Sequence, residues 1–306
     1  MHLRILGSAA GGRFPQWNCG CGNCVAVRQD RLPGKSRTQS QLALSSDGSR
    51  WFLAGASPDL AVQIEATPQL HPRALRDSPI AGVVLSSADL DHVLGLLLLR
   101  ELQPLRVYAA APILRILREE NSMFGMLNRV ERQVVWSPIE AGSAFQLIDT
   151  ENTDLDLWCQ AHFLSSRYPK YVKTNGLAPE ATAGVFFEGK SSKSKSHARI
   201  AYVPAVEHLD DALLAKLAGV DVLLLDGTFW SDDELIRIQG SGETAHQMGH
   251  LPVEESLRLL KNVEIGRRIY IHINNTNPIL NESSPEYRVV REAGWEVAED
   301  NWHLEL

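Results

Sequence analysis

Residues Ile80-Ala81-Gly82-Val83-Val84-Leu85 form an unbroken apolar, β-branched run, and Ser86-Ser87-Ala88-Asp89-Leu90-Asp91-His92 follows it directly. A short run of this kind predicts a strand buried on both faces. Beyond it, 93–102 is Leu-rich and predicts a helix. Strand, polar loop and helix in that order are the repeating unit of a layered α/β protein. The order places Asp91 and His92 at a strand-to-helix junction. Carboxylates gather at the positive end of a helix and bring metals with them, while an ordinary N-cap by Asp89 or Asp91 is the simpler reading.

The same grammar runs along the chain. Residues 42–45 and 51–54 flank the turn Asp47-Gly48-Ser49 as a hairpin, and 60–65 and 112–120 read as short helices, the second with Pro near its start. In the second half, 184–188, 199–203 and 221–225 read as strands, with an amphipathic helix over 210–219. Two such halves facing each other through their sheets give an αββα sandwich, expected as a single domain over 1–306. The Ser/Lys-rich stretch 189–198 reads as a solvated, mobile hairpin tip, suited to solubility or to docking an acidic peptide.

Three of the four cysteines, Cys19, Cys21 and Cys24, fall in a C-x-C-x-x-C spacing broken by Gly20 and Gly22. Glycine lets the backbone fold around one ion, and three thiols cannot all pair as disulfides, so a structural Zn2+ on an N-terminal loop at 18–24 is expected. Cys159 lies in an alternating stretch and reads as a small buried hydrophobe. Arg268-Ile269-Tyr270-Ile271 leads into His272 and an Asn-rich loop closed by Pro278, which places His272 at the exposed end of a buried strand. Asp226 ends the apolar run 222–225 and reads as a pocket carboxylate or as the cap of a turn before Thr228. His250 sits in a loop just before a helix.

Lys and Arg number 30 against 37 Asp and Glu, a net charge of −7, which argues against a nucleic-acid partner. No apolar run reaches the ~18 residues of a membrane span, and the start is too short for a secretory segment, so a cytoplasmic location is expected.

The loop at 87–92 resembles the metallo-β-lactamase superfamily signature H-x-H-x-D-H, with Asp91 and His92 kept and Ser87 and Asp89 where two histidines belong. Together with Leu6-Gly7-Ser8-Ala9-Ala10-Gly11-Gly12, Pro15-Gln16-Trp17-Asn18-Cys19, Asp226-Gly227-Thr228-Phe229-Trp230, Met248-Gly249-His250-Leu251-Pro252 and 272–278, it resembles the PqqB family, a pyrroloquinoline quinone (PQQ) biosynthesis branch of that superfamily. The ordered set spans nearly the whole chain.

The resemblance implies His272 as the last metal-ligand histidine and His250 as an acid/base or substrate-contacting group. It also exposes departures. Ala205 stands where hydrolytic relatives carry a metal-bridging Asp, and for a third-motif histidine the chain offers His162, out of step by two or three residues, or the serines Ser165 and Ser166. The fourth zinc ligand is left open, since Asn275 occupies the position at which related enzymes use His.

Dinuclear hydrolysis is thereby disfavoured. Asp91, His92 and His272 remain, a two-His, one-carboxylate set of the kind that non-haem Fe(II) oxygenases use. The resemblance implies Fe(II)- and O2-dependent hydroxylation of a tyrosine in a small precursor peptide, which a peptide chaperone presents or not. Purified protein is expected to carry Zn2+ or another divalent ion in place of iron. A PQQ carrier and a metal-dependent hydrolase are the alternatives, and a homodimer stays open.

Overall fold

The computed structural model describes residues 1–165, 167–173, 177–191 and 197–306. Ser166 and 192–196, the middle of the expected polar tip, lie outside the described residues; 189–190 and 197–198 belong to strands.

Among the described residues, fourteen strands run β1 His2–Gly7, β2 Gln41–Ser45, β3 Trp51–Ala54, β4 Ile80–Val84, β5 Leu105–Ala110, β6 Val134–Ile139, β7 Ala144–Ile148, β8 Asp154–Ser165, β9 Thr182–Lys190, β10 His197–Val203, β11 Val220–Asp226, β12 Ile265–Ile271, β13 Trp295–Val297 and β14 Trp302–Glu305. The α-helices are α1 Gly22–Arg28, α2 Leu60–Glu65, α3 Leu90–Val93, α4 Ala111–Arg115, α5 Asp211–Leu217, α6 Glu234–Gln239, α7 Val253–Leu259 and α8 Pro285–Glu292. The chain divides into two compact units, one of Met1–Leu6, Gln41–Arg199 and Asn301–Leu306, the other of Gly7–Ser40 and Ile200–Asp300.

In the first unit, β14-β1-β2-β3-β4-β5-β6 form one sheet. Strands β3 to β6 pair in parallel, so β4 and β5 carry side chains buried on both faces, which is why they read as continuous apolar runs. Leu53, Val83, Val107, Ile113 and Leu117 fill the core of this unit. The expected hairpin β2–β3 is present, its turn held by the Asp47 carboxylate, which accepts from the backbone N–H of Ser49 at 2.7 Å. Strands β7, β8 and β9 pair antiparallel.

The helix expected over 93–102 takes another form. One α-turn, α3, gives way to a 3-10 helix at Leu94–Leu99. Gly95 explains the tightening, because a Cβ there would lie 2.3 Å from the carbonyl oxygen of Ser57, and the Gly95 N–H donates to Ala56 O at 2.8 Å. Residues 112–120 likewise form α4 followed by a π-helical turn, Ile116–Glu120.

In the second unit, β10, β11, β12 and β13 run parallel. Helix α5 begins where the sequence places it, with Asp210 accepting from the Leu213 N–H at 2.7 Å. The register sets Asp226 opposite Ile271, so the end of β11 faces the residue before His272. Loops leaving the carboxyl ends of parallel strands are where such sheets build sites.

Candidate metal centre

Asp226 is the last residue of β11 and is 1% exposed. A buried carboxylate is tolerated only with donors on its oxygens, and Asp226 has four. Its Oδ1 accepts from the N–H of Thr228 at 3.0 Å and its hydroxyl at 2.7 Å; Oδ2 accepts from the Val206 N–H at 3.1 Å and from His250 Nδ1 at 2.8 Å. Asp226 therefore caps the turn before Thr228, as one of its two readings expects, and its other oxygen holds His250. The turn between Asp226 and Thr228 packs closely because residue 227 is glycine; a Cβ there would lie 3.0 Å from Tyr270 Cβ and 3.1 Å from Ile271 O.

His272 follows β12 with a φ of 56°, a left-handed conformation that breaks the alternation of the strand. It is 6% exposed, so the expected exposed strand end is a buried one. Thr228 Oγ lies 2.9 Å from His272 Nδ1 and donates its single proton toward Asp226 Oδ1 or His272 O. With the hydroxyl so directed its lone pairs accept from Nδ1–H, a tautomer that makes Nε2 the candidate ligand atom. The His250 and His272 rings stack with centroids 5.6 Å apart, and Phe229 meets His250 edge-on. Ligand atoms of Asp226, His250 and His272 fall within 4.8 Å of one another.

In the first unit, His92 is buried beside Asp91, Nε2 to Oδ2 4.0 Å, with Ser86 Oγ 3.4 Å from its Nδ1. Asp89 occupies the N-cap position of α3 but makes no capping bond; its Oδ2 accepts from Ser87 Oγ at 2.8 Å. The two residues standing where histidines belong in the signature therefore satisfy each other. His162 lies inside β8, opposite Gly184, rather than in a loop after it, because β8 continues to Ser165. Ala205 follows β10 and offers no ligand.

The thiols of Cys19, Cys21 and Cys24 also have their sulfurs within 4.8 Å of one another. The Asn275 Nδ2 donates to all three, at 3.1, 3.6 and 3.4 Å. Burial opposes ionisation of Cys19, but hydrogen bonds from Cys21, Cys24 and Asn275 outweigh it and hold its thiol below the usual range. Burial pushes Cys24 up to about 11. Three thiols closing on one polar group suit a zinc tetrahedron, and the mixed His and carboxylate set suits zinc or iron. Cys159 stands apart in β8, fully buried, its thiol pushed up by desolvation, as a small hydrophobe.

The sequence reading did not isolate two supporting residues. Thr228 was legible only as part of a turn. Glu234 on α6 is 4% exposed, accepts from the Trp230 N–H at 2.6 Å and the Thr276 hydroxyl at 2.5 Å, and burial pushes its carboxyl up to about 7. Nothing in the α6 pattern distinguishes it from a surface carboxylate.

Residues 50–273 match the beta-lactamase superfamily domain. Over their full lengths, the chain is 41% identical to the coenzyme PQQ synthesis protein B of Methylobacterium radiotolerans. The chain belongs to the PqqB family. The crystal structure of Zn2+-bound PqqB from Methylobacterium extorquens superposes on all of it with a TM-score of 0.90 at 39% identity. A diphosphatase of the PhnP family covers the whole chain with a TM-score of 0.69 at 18% identity, a likeness of fold. The chain thus has the metallo-β-lactamase fold, an α/β sandwich of two mixed sheets packed with helices, as its motifs imply. Among the described residues, no helix is long and apolar enough to cross a membrane.

Proposed function

We propose that this chain acts in PQQ biosynthesis as a cytoplasmic Fe(II)- and O2-dependent hydroxylase of a tyrosine in the precursor peptide, with Asp91, His92 and His272 as the iron ligands. The observation that carries the reading is the Thr228 bridge, which presets His272 as a ligand through Nε2. Membership of the PqqB family supports the pathway, and the two-His, one-carboxylate donor set supports iron. Bound Fe(II) supplies redox chemistry toward O2 that zinc lacks.

The protein's own groups prepare the reaction. Asp226 holds His250 through Nδ1, which leaves Nε2 as the atom through which His250 would pass a proton to or from a substrate phenol. Phe229, edge-on to His250, limits its rotation. Cys19, Cys21 and Cys24 would hold a structural zinc ion, with the Asn275 amide facing all three sulfurs. Cys21→Ser then removes one zinc per chain and lowers the melting temperature; an unchanged metal count rejects that assignment.

The decisive experiment loads Fe(II) without oxygen, then adds labelled O2 and a tyrosine peptide and weighs the product. Label in the ring is the expected result. Unlabelled product, or equal turnover by zinc-loaded protein, overturns the reading.

A further inference from the structure

A concavity of about 390 Å3 opens in the second unit among Gly12, Phe14, Pro15, Trp17, Arg37 and Asp300. The metal chemistry leaves it unused. Arg37 is 4% exposed, with Nε donating to Ala298 O at 3.1 Å and Nη1 to Lys35 O at 3.0 Å. A guanidinium carries five N–H donors, and among the described residues the pair on Nη2 has no hydrogen-bond acceptor. Its position is built, since Phe14 and Arg37 exchange backbone hydrogen bonds at 2.9 and 2.7 Å. Asp300 supplies Arg37 with a nearby counter-charge but no hydrogen bond. Its oxygens already accept from Ser8 Oγ at 2.9 Å and from the Thr38 N–H and hydroxyl, both at 2.7 Å.

The rim carries the opposite character. Trp17 is 85% exposed on a loop whose carbonyls at Gln16 and Cys19 are pinned by Arg28. An indole held out into water on a fixed loop gains by covering its face. A buried cation with spare donors favours a planar anion, and Arg with Trp together favour one attached to a flat ring.

We propose that this concavity binds an aromatic carboxylate, its carboxylate on Arg37 and its ring on Trp17. The inference does not rest on the iron reading, because it is tested by binding without turnover. The chemistry has two sources, a free aromatic acid or a peptide ending in an aromatic residue.

Isothermal titration of the full-length, zinc-containing chain with 2-naphthoate, 2-naphthamide and the peptide Ala-Ala-Tyr with a free C-terminus separates them. The acid is expected to bind one per chain and the amide about tenfold more weakly. Trp17→Ala, at an exposed position, is expected to weaken the acid about tenfold, and Arg37→Gln to erase the preference for acid over amide. Tighter binding of naphthoate identifies a free acid as the source, and tighter binding of the peptide a chain terminus. Absence of binding, equal binding of acid and amide, or affinity untouched by Trp17→Ala overturns the proposal. The Trp17 variant keeps the test open should Arg37→Gln fail to fold.

Discussion

The loop after β4 and the loops after β11 and β12 start from the same design, a parallel strand ending in acid and histidine, yet they are furnished differently. In the first, Ser87 and Asp89 bond to each other, and Asp91 and His92 remain beside them. In the second, Asp226, Thr228, His250 and His272 form one connected chain of hydrogen bonds. Buried carboxylates and imidazoles are stable only when so connected. The contrast teaches that a loop can lose ligands and keep its fold, whereas a network of buried groups keeps all its members.

The sharpest way to break the comparison is to delete a ligand from each side. His272→Ala and Asp91→Ala should both abolish turnover and empty the iron site while the cysteine-bound zinc stays, as elemental analysis will read. Retained iron in either variant rejects that residue as a ligand. Next in size is Thr228→Val, which removes the hydroxyl that presets His272. Metal affinity should fall about 10–100-fold, and unchanged affinity would show that the hydroxyl only closes a turn.

A smaller effect concerns Glu234. Its folded pKa, raised to about 7 mainly by burial, lies above the ordinary carboxylate value, so the native state holds a proton that the unfolded chain releases. Its contribution to stability is present in full below the unfolded pKa and is lost as pH rises through about 7. The shift corresponds to up to about 3 kcal/mol. Glu234→Gln should flatten the fall in unfolding free energy between pH 4.5 and 7; a parallel fall in both proteins contradicts the assignment. Smallest is His162→Ala, which should leave active-site metal nearly unchanged, since His162 belongs to the middle of β8. Loss as complete as in His92→Ala would return a hydrolase-like ligand set.

Most of the layered fold was legible because parallel strands announce themselves as apolar runs. Residues 60–65 and the hairpin at 42–54 were recovered for the same local reasons. The segment after His92 was not, because its leucines favour a helix while contact of Gly95 with Ala56 and Ser57, distant in sequence, imposes a tighter turn. At the site, cysteine spacing and strand-end polar residues were visible. The connections were not, because whether Thr228 touches Asp226 or His272 depends on the pairing of β11 with β12. The burial of His272 escaped because the end of β12 is covered on both faces, from Ile269 to Ile271, and Ile273 beyond it is buried as well.

His272 and Asn275 are three residues apart on one segment, the first fixed by Thr228 and the second reaching all three cysteine sulfurs. Glu234 grips Thr276 next to it, and Asn277 donates to Gly227 O at 2.9 Å. One short stretch, 272–277, thus ties the cysteine cluster to His272, so a shift of Asn275 against the sulfurs is passed along the backbone to the histidine.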